Sequence, residues 1–116
     1  MVRHISIFYL KENLTENQVN YILDLLEQLQ FNLDSVKDYQ VGQNCMTLPQ
    51  ASTKNSPLFG NVAQVINFTT MEAAKAYPSH PAHLQLMADI SSYIEKVAVI
   101  DYIIENRKED NHESQG

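Results

Sequence analysis

The sequence predicts an α+β domain of ferredoxin-like βαββαβ type, with one antiparallel four-stranded sheet. Three observations predict it. Stretches of alternating or two-sided apolar character open and close the chain, and two more lie between them. A well-capped amphipathic helix follows the first of these stretches, and a second helical region, interrupted by prolines, precedes the last. At 116 residues the chain is one domain, expected over residues 1–104 and followed by a disordered polar tail over 105–116. Two helical regions can cover only one face of such a sheet. The first and last strands are nevertheless apolar on both faces, so a second copy is expected to cover the other and make a homodimer.

The first strand is read over residues 2–10, where Ile5, Ile7 and Tyr9 alternate with His4, Ser6, Phe8 and Leu10. Thr15 then caps a helix. Gln18 stands at the capping-box position and Leu14 is placed to pack on Val19. Val19, Ile22, Leu23, Leu26 and Leu29 form its apolar stripe, and Asn20, Asp24, Glu27 and Gln28 its wet side. A half-solvated strand is expected over 36–44, with Val36, Asp38, Gln40 and Gly42 on one side and Lys37, Tyr39 and Val41 on the other. Residues 45–60, rich in Thr, Ser, Asn, Gln and Pro, read as a long loop. Strand character resumes over 61–68, with Val62, Gln64, Ile66 and Phe68 sharing a face. Thr69 and Glu72 read as the cap and capping-box partner of the next helix.

That helix runs into the stretch around which the chain is organised, Tyr77-Pro78-Ser79-His80-Pro81-Ala82-His83. Pro78 and Pro81 disfavour the α conformation for Tyr77 and His80, and Pro81 suits the first turn of a new helix. His83, Met87, Ile90 and Ile94 recur at helical spacing, so His83 shares the inward stripe. Tyr77 lies on the same small-residue face as Ala73 and Ala74. The helix is expected to end near Lys96, with an apolar strand over 97–104 whose one charge is Asp101. An imidazole exchanges protons near neutrality and a phenol hydrogen-bonds a developing oxyanion, so His4, Tyr77 and His83 suit proton abstraction beside a carbonyl. The plainer reading is that these side chains bond to the protein and anchor packing. His80 reads as a structural hydrogen-bonding residue.

Eight Lys and Arg against fourteen Asp and Glu give a net charge of −6, which opposes phosphate backbones and anionic lipid. No nucleic-acid or membrane partner is expected. The opening residues carry no apolar signal core and Cys45 is the sole cysteine, so a reducing cytoplasm is the expected compartment. Scattered glycines build no phosphate loop, and His80 with His83 lacks a third ligand. Neither a cofactor nor a metal is called for.

The run from Ala76 to His83, with Val2-Arg3-His4-Ile5-Ser6-Ile7-Phe8 and Val97-Ala98-Val99-Ile100-Asp101-Tyr102, resembles the stress-responsive dimeric α/β-barrel (Dabb) family. The resemblance implies a homodimer in which two sheets pair face to face into a barrel with the helices outside. It also implies aldol- or lyase-type acid–base chemistry of polyketide-cyclase kind, with Tyr77 and His83 as catalytic residues and His4 matching the family's first-strand histidine. Ile22, Leu23 and Leu26 stand where that cyclase has aromatic pocket walls, and with Phe8, Ile66, Met87 and Ile94 they are the expected substrate-binding set. Two functions follow: a cavity protein that binds or transforms a small carbonyl-containing or aromatic molecule, or a non-catalytic structural dimer of a stress response. A cavity between helices and sheet that receives His4, Tyr77 and His83 would favour the first.

Overall fold

The computed structural model describes residues 1–46 and 59–104. The strands are β1 (Val2–Leu10), β2 (Val36–Gln43), β3 (Val62–Phe68) and β4 (Ile94–Ile103), and the helices α1 (Glu16–Leu29), α2 (Met71–Ala76) and α3 (Pro81–Ile90). Every neighbouring pair of strands is antiparallel, and the sheet order is β2-β3-β1-β4. This is the expected ferredoxin-like α+β arrangement. The central part of the 45–60 loop and the 105–116 tail fall outside the described residues.

Alternation along β1 decides the two faces. Val2, His4, Ser6 and Phe8 are buried beneath the helices, and the residues between them are only partly covered. β3 obeys the same rule, with Val62, Gln64, Ile66 and Phe68 buried. Helix α1 starts as its sequence requires: the Thr15 side chain accepts from the Gln18 N–H and the Gln18 side chain accepts from the Thr15 N–H. Its buried stripe of Ile22, Leu26 and Leu29 closes the core with Phe68, Leu86 and Ile90.

Several local expectations are corrected. Val36 packs on the core with Tyr39 and Val41 rather than facing away from them, because a bulge sets Val36 and Asp38 opposite the adjacent residues Phe68 and Asn67 and so resets the alternation. Thr70, not Thr69, caps α2: its side chain accepts from the Ala73 N–H, while Thr69 gives both its N–H and its hydroxyl to the Ser35 carbonyl. Tyr77 remains in the right-handed helical region at φ −56°, ψ −46° despite the following proline. Its N–H still bonds the last turn of α2, and Pro78 sits within a single 3-10 turn, Tyr77–Ser79, where no further N–H is needed. His80 is extended as Pro81 dictates, and its Nδ1 accepts the Ala82 N–H at 3.0 Å to cap α3. Finally, α3 stops at Ile90, and Ile94 opens β4 after a short 3-10 turn instead of extending the helical stripe.

The opposite face of the sheet carries no helix among the described residues. Ile5 pairs with Val65 and Ile100, and Ile7 with Ala63 and Ala98, which makes an apolar field there. Ile100 is 58% exposed. At one end of that face Arg3 donates to Asn67 at 2.9 Å, Asn67 donates to Asp38 at 3.3 Å, and Arg3 also reaches the Tyr102 hydroxyl at 3.4 Å.

Candidate active site

The helices lie over β1, β2 and β3 more completely than over β4, whose helix-facing Val99 is 55% exposed. A cavity of about 270 Å³ opens there, between the Tyr77-Pro78 turn, the start of α3 and strands β1 and β4. His4, Ser6, Phe8, Gln64, Tyr77, His83, Leu86, Met87, Val97, Val99 and Asp101 line it. The fold thus brings the three expected polar residues together. The Tyr77 ring centroid lies 5.0 Å from that of His4 and 4.5 Å from that of His83.

Of the expected walls, Phe8 and Met87 line the cavity and the others do not. Ile22, Leu26 and Ile66 are fully buried in the closed core, and Leu23 and Ile94 pack against that core. Position in the sheet explains this correction. Helix α1 packs toward β2 and α3, with Tyr39 donating to the Leu26 carbonyl, so its stripe is spent at the end of the sheet remote from β4.

Each polar group is held differently. His83 donates from Nδ1 to the Pro78 carbonyl at 3.1 Å, since a carbonyl only accepts. Its Nε2 therefore carries the lone pair, and it has no protein partner among the described residues. Burial lowers the His83 pKa and outweighs the Pro78 bond, with the nearby His4 and His80 adding to the fall. Tyr77, nearly fully buried, accepts at its hydroxyl from Gln64 Nε2 at 3.4 Å and donates to no described protein group. Burial pushes its pKa up to about 12, with the Gln64 bond opposing. Gln64 is fixed in turn by Tyr39, whose hydroxyl accepts from Nε2 at 2.9 Å.

His4 is bonded at both nitrogens. Nδ1 lies 2.7 Å from Asp101 Oδ1 and Nε2 lies 2.8 Å from Ser6 Oγ. Ser6, Asp101 and Gln64 are the site residues that sequence reasoning missed. A signal existed for each: Ser6 shares a face with His4 at a spacing of two, Gln64 alternates with apolar core residues, and Asp101 is the lone charge of an apolar segment. Only the register supplies the rest, placing Asp101 opposite His4 and Gln64 opposite Ser6. Among the described residues no group of three or more His, Cys, Asp or Glu side chains is gathered to hold a metal.

The model of the stress responsive A/B barrel domain, Dabb, matches residues 2–104. The chain belongs to the Dabb family. No curated protein matches it. Solved structures similar to this Dabb chain include a dimeric ferredoxin-like protein of unknown function from Thermobifida fusca, 20% identical over 89% of this chain and 90% of that one, with a TM-score of 0.70. A protein from Arabidopsis thaliana is 21% identical over 91% and 97% of the two chains, with a TM-score of 0.72. Hydroxynitrile lyase from Passiflora edulis is 22% identical over 90% and 94%, with a TM-score of 0.70. At these identities the likeness establishes a shared fold. Among the described residues of this Dabb chain, no helix is long and apolar enough to cross a membrane.

Proposed function

We propose that this Dabb protein is a homodimer whose cavity binds a small neutral carbonyl compound, aliphatic or aromatic, and moves a proton beside the carbonyl. The observation that carries the reading is complementarity within one cavity: the Tyr77 hydroxyl has an uncommitted proton and the His83 Nε2 an uncommitted lone pair. In this mechanism the Tyr77 phenol, kept protonated by burial, donates to the substrate oxygen as charge develops there. His83, kept neutral by the same burial, takes the proton from the adjacent carbon or hydroxyl. Phe8, Leu86, Met87, Val97 and Val99 exclude water and hold the apolar part of the ligand. A cavity of about 270 Å³ lies just below the usual range for ligand sites, roughly 300 to 1,000 Å³, which favours a compact substrate.

A lyase or aldol reaction that makes or breaks a bond next to a carbonyl fits these roles, and a hydroxynitrile lyase among the structural relatives is consistent with it. Dimeric relatives and the uncovered apolar field of the sheet support the homodimer. The exposed, free Cys45 suits a reducing cytoplasm. The test is deuterium exchange at carbon beside the carbonyl, followed by NMR for a panel of small ketones and arylacetaldehydes, all of which bear such protons. Exchange above the solvent rate, lost in His83→Ala and slowed in Tyr77→Phe, is expected. A panel that neither exchanges nor raises the melting temperature would leave the non-catalytic dimer as the function.

A further inference from the structure

His4 does not serve the proton transfer just described, yet it is the most completely organised group in the cavity. Asp101 Oδ1 stands 2.7 Å from its Nδ1 and Ser6 Oγ 2.8 Å from its Nε2. A carboxylate oxygen can only accept, so Nδ1 carries a proton, and in the neutral imidazole Nε2 accepts from the Ser6 hydroxyl. Carboxylate, imidazole and hydroxyl are then joined in the order, and at the distances, of a nucleophilic triad, which is recognised by geometry and not by sequence position or fold. The backbone makes the line rigid: His4 and Ser6 are two apart on one face of β1, and Asp101 faces His4 across the β1–β4 pairing. All three line the same cavity. An oxyanion donor is also at hand. Gln64 sits opposite Ser6 in the β1–β3 register, and the Tyr77 hydroxyl, with its uncommitted proton, lies one hydrogen bond from Gln64.

We propose that Asp101, His4 and Ser6 form a catalytic triad that hydrolyses small, uncharged carboxylic esters through an acyl-Ser6 intermediate. Ser6 Oγ bonds to the carbonyl carbon as its proton passes to His4 Nε2, and the carbonyl electron pair moves onto oxygen, where Tyr77 donates to it. The tetrahedral centre collapses, the C–O bond to the alcohol breaks, and His4 returns the proton to the departing oxygen. Water then repeats the sequence: it gives a proton to His4 and its hydroxyl to the acyl carbon, and Ser6 leaves with the proton. The sum is ester plus water to acid plus alcohol, with no redox step. Phe8, Val97 and Val99 offer the acyl group an apolar seat, and the Asp101 carboxylate beside them disfavours an anionic substrate. Asp101 acts through His4 and is a positioning residue.

The reaction shares the cavity with the proton-transfer reading but does not use His83, so the two fail separately. The full chain is treated with an alkyl fluorophosphonate and mapped by peptide mass spectrometry, and is assayed with p-nitrophenyl butyrate. One phosphonyl group on Ser6 is expected, together with a p-nitrophenolate burst equal to the protein concentration. Ser6→Ala abolishes both. Asp101→Asn slows acylation by at least about tenfold, a loss that Asp101→Glu partly restores. An unlabelled Ser6, a label confined to another residue, or hydrolysis that persists in Ser6→Ala overturns the triad. Mapping the unaltered chain needs no variant, so the result stands even where Ser6→Ala fails to fold.

Discussion

The Tyr77 hydroxyl is bonded on one side only, which separates its role in the fold from its role in the cavity. Its ring is buried against Phe68, and that contact survives removal of the oxygen. Tyr77→Phe removes one long hydrogen bond from Gln64, which keeps its bond to Tyr39, so unfolding in denaturant should register a loss below about 1 kcal/mol. The proposed proton exchange should fall by roughly a hundredfold or more. His83 makes a second prediction. Its folded pKa is lowered from the ordinary 6.5, so the unfolded chain takes up a proton first as pH falls. The sign follows: stability is at full value above about 6.5 and declines below it, and His83→Gln should flatten that decline in melting curves run across the acid range. The inward placement of Tyr77 and His83 was legible from helical spacing; that of His4 was not, because the first strand reads as apolar on both faces. The partners of His4 were not, because a cross-strand contact such as His4–Asp101 depends on register between residues far apart in sequence.

Element boundaries were legible wherever one local interaction decides them, as at Thr15 and His80, and were misread where two candidates compete. Thr69 and Thr70 are chemically equivalent caps in sequence. The choice falls to Thr70 because Thr69 is drawn to the Ser35 carbonyl, a contact formed only when the chain returns from β2. Thr70→Ala should therefore cost about 1 kcal/mol by denaturant unfolding. Thr69→Ala, at an exposed hydroxyl, should cost less than about 0.5 kcal/mol. An equal loss from both would mean that the cap is shared. The β2 bulge escaped notice for a similar reason: alternation read along one strand cannot show that the partner strand is one residue shorter. The cavity walls on α1 were misplaced because a helical stripe says which side packs, but not which strands lie beneath it.

At the scale of the molecule the uncovered sheet face governs behaviour. Its apolar middle, Ile5, Ile7, Val65 and Ile100, calls for a partner, and the Arg3-Asn67-Asp38 chain at one end offers a polar mark for alignment. The proposed homodimer should bury about 1,600 Å² in total, the usual size of a specific interface. Sedimentation should find it at micromolar protein, and Ile100→Lys should release monomers that keep the far-UV spectrum of the parent. A parent chain that sediments as monomer would rule this assembly out.

Strand β4 turns Val99 and Asp101 to the cavity and Ile100 and Tyr102 to the uncovered face, so one ribbon of backbone is the wall of both. Whatever clamps one side restrains the other. In the proposed homodimer, a ligand that tightens the pair must itself be held more tightly by the pair, and by the same factor. Affinity measured on progressively diluted protein should weaken as monomers appear, while saturating ligand should move the monomer–dimer midpoint to lower concentration.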